Sequence, residues 1–278
     1  MLNVIDKKLR KVQFISGNTL KIIACVCMFV DHFSKIPMNK YMGELFSLSL
    51  SGTISNEQFF SIQDFQRTIL FGIGSIAFPL FCFLLVEGFQ HTRNRKRYIG
   101  SMLIFAVISE VPFDIGFFST FSMDAGTFPF YFEYQNVFFT LLLGLLVIAG
   151  LHLVEQHFVG TTVGKTILRV GLNAVIILTG CVLALVLKTD YDFKGILAIT
   201  VLYLFRNRKK AQMWAGVIIF LLMDSLEMFA ALSFILIWFY NGTRGRQNKY
   251  FFYFFYPAHL LLLWLVCVAM GIAGIPAI

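Results

Sequence analysis

Long apolar runs, separated by short polar and basic stretches, follow one another from residue 20 to the end of the chain. A helix needs about 20 mostly apolar residues to cross a bilayer, and helices satisfy their own backbone hydrogen bonds there. The runs therefore predict an all-α, polytopic membrane bundle of about nine transmembrane helices. The predicted spans are 20–36, 71–90, 98–118, 136–153, 167–187, 194–206, 211–223, 227–240 and 251–272.

The organisation between these runs is simple. No internal repeat and no appended soluble stretch is visible, so we expect a single domain over residues 1–278. Residues 1–16 mix basic and apolar side chains, which is typical of a segment that lies on the inner leaflet. This start lacks the short apolar core of a cleavable signal peptide. The sixth to eighth runs are short, and one pair of them could instead form a re-entrant hairpin.

Lysine and arginine are distributed unevenly between the two ends of the predicted spans. With nine spans and a cytoplasmic N-terminus, 17 basic residues fall inside and five outside, with Lys21 at the mouth of the first span. This asymmetry is the positive-inside bias of membrane proteins. The five outside residues are Lys35, Lys40, Arg67, Lys188 and Lys194. We therefore predict a multi-pass protein of the plasma membrane with its N-terminus in the cytoplasm.

Composition narrows the functional classes. Hydrophobic residues make up 58% of the chain, charged residues 14%, and the mean hydropathy is +0.77, which excludes an ordinary soluble domain and a disordered one. The net charge of +8 follows the membrane flanks, so no nucleic-acid partner is expected. All five cysteines lie in apolar runs and are expected to be core residues, with no disulfide framework and no metal site.

Ionisable residues inside the first span are the clearest candidates for chemistry, because such residues are costly in lipid and usually face a bundle interior. Lys21 and His32 are eleven residues apart, which is three helical turns plus roughly 20°, so they share a face about 16 Å apart. Asp31 points about 100° away from His32. A long ligand with a charged end, such as coenzyme A, fits this spacing. The alternative is a structural histidine and a lysine that reaches the interface.

Further polar residues are weaker candidates. His259 and Tyr256 lie near the start of the last span, at the membrane boundary, and could close a site. A basic cluster after the second span would serve either as a membrane anchor or as a site for phosphates; it includes His91, Arg93 and Arg95. Substrate contact and structural support are both open for three residues near span ends. These are Glu87, Asp114 and Asn136, the last of which could simply cap a helix.

Six segments of the chain carry a family resemblance. They are LKIIACVCMFVDH (20–32), IAFPLFCFLLVEGFQHTRNRKRY (76–98), ISEVPFD (108–114), NVFFTLLLGL (136–145), DYDFKGILAITVLYLFR (190–206) and YNGTRGRQNKYFFYFFYPAHLLLL (240–263). In these segments the chain resembles the TraX family of bacterial membrane proteins, named for conjugative pilin N-acetylation. The segments cover most of the chain in the expected order. Ser75 departs from the arginine expected in many relatives.

TraX proteins are in turn similar to a wider superfamily of multispan acyltransferases. That resemblance implies about ten helical elements, acetyl-CoA as the acyl donor, and a basic residue eleven positions before a histidine, which Lys21 and His32 match. It implies His32 as catalytic base or acyl carrier, and we expect Asp31 as a second catalytic residue that orients the acceptor amine or a neighbouring helix. The resemblance adds Tyr256 and His259 to the basic residues Lys21, His91, Arg93 and Arg95 as expected contacts to the donor. The expected acceptor is the N-terminal amine of a peptide or pilin-like protein. A cell-surface glycan is the next choice, and an oligomer is possible.

Two hypotheses from other classes stay open. The buried ionisable residues would also suit a transporter for a small or lipid-linked substrate, although no inverted repeat supports one. A non-catalytic assembly factor would not need His32. None of the common motifs of soluble enzymes is present to decide between them.

Overall fold

A computed structural model describes residues 13–160, 162–223, 226–246 and 249–275 of the chain, without the side chains of 226–228 and 249. Within these ranges the chain forms helices and two isolated β-bridges, which confirms the all-α prediction. Most of the predicted interfacial segment, 1–16, lies outside the described residues, as do the basic residues Lys7, Lys8, Arg10 and Lys11.

Twelve α-helices follow one another along the described chain. They are α1 (Gly17–Phe33), α2 (Asn39–Leu50), α3 (Asn56–Phe65), α4 (Phe71–Gly74), α5 (Ala77–His91), α6 (Arg95–Asp124), α7 (Val137–His157), α8 (Val163–Val186), α9 (Asp192–Leu204), α10 (Lys209–Leu221), α11 (Ser233–Trp238) and α12 (Lys249–Ala269). Two π-helical turns, Ser34–Met38 and Gln66–Leu70, and one 3₁₀ stretch, Leu226–Leu232, connect some of them.

Five helical stretches are long and apolar enough to cross a bilayer: Asn56–His91, α6, α7, α8 and Tyr250–Ala269. The apolar helix over Phe229–Trp238 is shorter. These stretches identify a membrane protein built as a helical bundle. The expected count of nine to ten spans stays a prediction, because several of the other helices are short.

The stretch 37–70, which lies between the first two predicted spans, is largely helical. Helices α2 and α3 and both π turns fill most of it. Pro37 has no N–H group to donate and lies inside the first π turn, where the regular helical ladder is interrupted. A capping box begins α3: Ser55 Oγ accepts from Gln58 N at 3.2 Å, and Gln58 Oε1 accepts from Ser55 N at 3.1 Å.

The chain divides into two compact units. The first takes its described residues from the stretches 1–81, 108–131 and 224–278, and the second from 82–107 and 132–223. In the first unit, α1 begins at the N-cap Ser16, and Gly17 N donates to Thr243 O at 2.8 Å. This bond fixes the start of α1 against the loop that precedes α12. The prediction of a single domain stays a prediction.

Glycines allow close helix packing in the second unit. A Cβ atom on Gly144 in α7 would lie 2.3 Å from Cδ1 of Ile199 in α9, and one on Gly180 in α8 would lie 2.3 Å from Cγ2 of Val147. Both distances are far shorter than a van der Waals contact, so these helices touch through the glycine backbone. Small residues of this kind let membrane helices approach each other closely.

Candidate functional site

Two histidines from distant parts of the sequence form the centre of the site in the first unit. His32 Nδ1 in α1 lies 2.6 Å from His259 Nε2 in α12. The two ring planes differ by 3°, and the ring centroids are 4.9 Å apart. Because the N–H bonds and lone pairs of imidazole lie in the ring plane, this geometry is that of one short in-plane hydrogen bond. We call this pair the histidine dyad.

The backbone fixes the direction of that hydrogen bond. His259 Nδ1 lies 2.7 Å from the carbonyl oxygen of Phe255, and a carbonyl can only accept. His259 Nδ1 therefore carries a proton, and in the neutral ring its Nε2 has the lone pair. His32 Nδ1 must then donate to His259, which leaves Nε2 of His32 as the unprotonated nitrogen. The dyad presents a base at one defined atom.

Asp31 lies beside that atom, which corrects the expectation from helical geometry. The helical angle placed the Asp31 side chain away from His32, yet Asp31 Oδ2 is 3.9 Å from His32 Nε2. The same oxygen is 2.9 Å from Lys35 Nζ. Consecutive side chains can bend toward each other when a neighbouring helix limits their rotamers, and α4 lies against Asp31 here. The carboxylate is therefore close enough to stabilise a positive charge on the ring.

Aromatic rings enclose the dyad. Phe117 of α6 and Tyr256 of α12 meet the His32 ring edge-on, at centroid distances of 5.4 and 5.7 Å. The Phe255 ring stacks on His259 at 4.8 Å. His32 and His259 keep only 7% and 4% of their surface exposed. Electrostatic interactions are stronger in such a dry setting than in water.

Lys21 faces the same neighbouring helix as His32. Its Nζ is 5.5 Å from the centroid of the Phe252 ring in α12, and the side chain is half-buried. Phe252 and His259 are seven residues apart, about two helical turns, so they share one face of α12. The spacing of Lys21 and His32 predicted a common face, and both side chains do meet that face of α12.

Asp114 is also in the first unit but has a different partner. Its Oδ2 accepts a hydrogen bond from the backbone N–H of Tyr131 at 3.0 Å, and the residue is 2% exposed. Tyr131 in turn stacks on Phe118 with ring centroids 4.4 Å apart. Asp114 thus ties the aromatic segment that follows α6 back onto that helix. This is a supporting role in the fold of the first unit.

The remaining predicted residues belong to the second unit. Asn136 caps α7 by accepting from Phe138 N at 3.0 Å, and it donates to Ala106 O at 2.9 Å. His91 Nδ1 donates to the Glu87 carbonyl oxygen at 2.9 Å and lies 3.9 Å from the Glu87 carboxylate. Two basic residues complete this set: Arg93 is exposed, and the Arg95 guanidinium lies 4.7 Å from the Phe89 ring centroid.

The second unit also has polar clusters that sequence reasoning did not anticipate. Glu155 accepts from Arg206 Nη2 at 2.6 Å and from the Tyr203 hydroxyl at 3.2 Å. In the loop before α7, the Tyr134 hydroxyl donates to Asp190 O at 2.7 Å. Burial raises the pKa of Tyr134, and the nearby Asp190 carboxylate raises it further, so this tyrosine stays a neutral donor.

Other parts of the dyad's surroundings were also missed. The Phe255 carbonyl and the proximity of Lys35 to Asp31 are the main ones. The contact between Asp31 and Lys35 could have been predicted from the sequence, because the two residues are spaced i,i+4 on one helix. Among the described residues, no group of three or more metal-ligating side chains comes together.

Comparison with known proteins gives two matches. The model of the family described as TraX protein matches residues 16–267. The chain is also 29% identical to the probable fimbrial assembly protein FimC, serogroup H1, of Dichelobacter nodosus, over 273 residues that span 91% of this chain and 96% of that relative. No solved structure matches the chain significantly. Since the family match includes both histidines of the dyad and most of the sequence, the chain belongs to the TraX family.

Proposed function

We propose that this chain is an integral membrane acetyltransferase that moves an acetyl group from acetyl-CoA to the N-terminal amine of a pilin-like protein. The observation that carries the proposal is the histidine dyad, in which a bond to a backbone carbonyl leaves Nε2 of His32 unprotonated. An acyl transfer to an amine needs such a base, because the amine loses a proton as it attacks.

His32 acts first as a base and then as an acid, so that the proton taken from the acceptor reaches the leaving group. The acceptor nitrogen attacks the thioester carbonyl carbon, and His32 Nε2 takes a proton from that nitrogen. The carbon–sulfur bond then breaks, the new amide forms, and His32 returns the proton to the leaving thiolate. The products are the acetylated amine and free CoA. The alternative, in which His32 Nε2 carries the acetyl group transiently, uses the same atom.

The neighbours of His32 stabilise its protonated form. When Nε2 is protonated, the Nδ1–H bond to His259 becomes a charge-assisted hydrogen bond, which is stronger than a neutral one. Asp31 lies 3.9 Å from Nε2 and supplies a compensating negative charge. His259 orients the ring as the third group of a catalytic triad does, with the Phe255 carbonyl holding it in turn.

Lys21 is the residue of the first unit that we propose for the phosphates of the donor. It lies about 16 Å along α1 from His32, and both side chains meet one face of α12. CoA is a long ligand with phosphates near one end and the thioester at the other, so a charged contact and a base at this separation suit it. The roles of His91, Arg93 and Arg95 as further phosphate contacts stay predictions.

The proposal of a pilin-like acceptor is based on the similarity to the fimbrial assembly protein. A fimbrial assembly protein as a relative over nearly the full length supports a pilin-like protein as acceptor. A cell-surface glycan hydroxyl or amine remains the second choice, because His32 would serve as base for either nucleophile. We place the protein in the bacterial inner membrane with access to cytoplasmic acetyl-CoA, in keeping with the distribution of basic residues.

The direct test uses purified protein in detergent, radiolabelled acetyl-CoA and a synthetic peptide with the N-terminal sequence of a pilin from the same cell. We expect label in the peptide and equimolar release of CoA. The same peptide with its amine already acetylated should accept no label. His32→Ala should abolish transfer, whereas the exposed His157→Ala, in α7, should retain it. An active His32→Ala variant would contradict the proposal.

A further inference from the structure

Helix α4 lies in close contact with α1 at Asp31. A Cβ atom built on Gly74 would lie 2.6 Å from both Cβ and Oδ1 of Asp31 and 2.9 Å from its Cα. Because the short distances include a backbone atom, a change of the Asp31 rotamer alone could not make room for a side chain. Gly74 thus lets the backbone of α4 lie directly against the carboxylate that faces His32 Nε2.

A second contact holds the chain just after His32. Gln66, in the π turn before α4, is 4% exposed. Its Nε2 donates both hydrogens, one to Ser34 O at 2.9 Å and one to Asn39 Oδ1 at 2.5 Å. Ser34 opens the π turn that follows α1, and Asn39 is the residue that follows that turn. Gln66 therefore bridges the turn from end to end.

The contacts of Gly74 and Gln66 adjoin Asp31 and Lys35, the acidic and basic residues near His32 Nε2. Asp31 precedes His32 and meets Gly74; Lys35, which pairs with Asp31, lies in the π turn that Gln66 bridges. π turns inside helices often occur at functional sites, where they redirect the side chains beside them. Here the turn is held by a side-chain amide from another part of the chain.

We propose that the stretch from Gln66 to Gly74 positions the histidine dyad, with Gln66 and Gly74 as positioning residues for the acyl transfer. The expected loss of rate rests on the proposed function, whereas the positioning of the dyad rests on geometry alone. Gly74 sets the distance between the Asp31 carboxylate and His32 Nε2, and Gln66 sets the turn from which Lys35 reaches Asp31. Neither residue touches the reacting atoms.

Two glycines of α4 give a matched pair of variants. Gly74→Ala must displace Asp31, whereas the three atoms nearest to a Cβ on Gly72 all belong to the Phe229 ring, the first at 3.3 Å. A displacement of about 1 Å at a catalytic group can cost up to a hundredfold in rate. We expect Gly74→Ala to lower kcat at least tenfold with the KM for acetyl-CoA within twofold of wild type. Gly72→Ala should keep kcat within about threefold.

A second pair covers the case in which Gly74→Ala does not fold. Gln66→Leu keeps the size of the side chain but removes both donors, and Gln63→Leu changes a neighbouring glutamine whose side chain makes no hydrogen bond to the turn Ser34–Met38 among those described. We expect a fall in kcat for Gln66→Leu, with an unchanged KM, and near wild-type kinetics for Gln63→Leu. Equal kinetics for the two leucine variants would overturn the inference.

A spectroscopic readout separates this inference from the proposed function. Protein labelled with ¹⁵N in its five histidines reports which ring nitrogen of each is protonated. Wild type should show His32 protonated at Nδ1, assigned with His32→Ala, and Gln66→Leu should lose this single tautomer while the signals of exposed His157 stay unchanged. If wild-type protein transfers no acetyl group but Gln66→Leu still disturbs His32, the positioning stands and the proposed function fails. An undisturbed His32 signal in both Gln66→Leu and Gly74→Ala would overturn the positioning.

Discussion

His32 and His259 are 227 residues apart in the sequence and share a hydrogen bond of 2.6 Å. This bond joins the first and last helices of the described chain at a buried point of the first unit. It also assigns the proton: because Phe255 O accepts from His259, His32 must donate to His259 and keep its own Nε2 free of a proton. A histidine pair with a structural role would need only the hydrogen bond. A catalytic pair also needs one defined nitrogen without a proton.

Variants of His259 test the orienting role. Gln can still accept from His32 Nδ1 through its amide oxygen, whereas Ala cannot. We therefore expect kcat to fall in the order wild type, His259→Gln, His259→Ala, with roughly 10- to 100-fold lost for Ala, the loss typical when the partner that orients a metal-bound histidine is removed. The measurement is steady-state acetyl transfer at saturating acetyl-CoA. Equal rates for Ala and wild type would show that His259 does not orient the base.

Lys21 tests the binding of the donor. Lys21→Ala should raise the KM for acetyl-CoA about tenfold with a smaller change in kcat, because a phosphate contact far from the thioester contributes to binding more than to the transition state. Lys21→Arg should restore most of the affinity, since it keeps the charge. Lys165→Ala, an exposed lysine in α8, is the control. An unchanged KM in Lys21→Ala would remove Lys21 from the donor site.

Asp114 tests the anchoring of the aromatic segment after α6. Removing a carboxylate that accepts from a partly buried backbone N–H costs about 1–3 kcal/mol. Asp114→Ala should therefore lower the melting temperature in detergent by several degrees and expose residues 125–131 to limited proteolysis. Asp114→Asn keeps an acceptor oxygen and should fall between Ala and wild type. Equal protease sensitivity of all three proteins would contradict the anchoring role.

The glycine contacts of the second unit test its packing. Gly180→Val places methyl groups where a Cβ alone would already lie 2.3 Å from Val147, so the helices must separate. Overpacking of this kind costs about 1–3 kcal/mol, which should appear as a lower melting temperature. Gly171→Val, in the same helix, has no neighbour within 4 Å of its Cβ and should melt like wild type. Similar melting of both variants would contradict the close approach.

The sequence predicted the long helices well, because a helix that crosses lipid must be mostly apolar over about 20 residues. Where a run is long and apolar, as for α7 and α8, the predicted and observed bounds agree within a few residues. The N-cap at Asn136 was visible for the same reason, since an amide directly before an apolar run is a common helix start. Residues 37–70 were harder, because their mixed polar and apolar pattern matches no long span.

The site was only partly predictable. Helical spacing correctly placed Lys21 and His32 on one face, because both lie in a single regular helix. It misjudged Asp31, whose position depends on α4, and it could not find Gln66 as a partner of Ser34, because that contact joins separate parts of the chain. The geometry of a single helix predicts the direction in which a side chain leaves the helix axis. It does not predict the neighbouring segments, which can bend the side chain away from that direction.

The most direct test of the central claim measures the mass of the acceptor in the cell. Intact-mass spectrometry of pilin-like proteins should be compared between cells that carry wild-type protein, His32→Ala, His157→Ala or no protein, with membrane levels matched by immunoblot. We predict one acetyl group on the acceptor's N-terminal residue with wild type and His157→Ala, and none in the other two strains. Full acetylation in cells that carry His32→Ala would contradict the account.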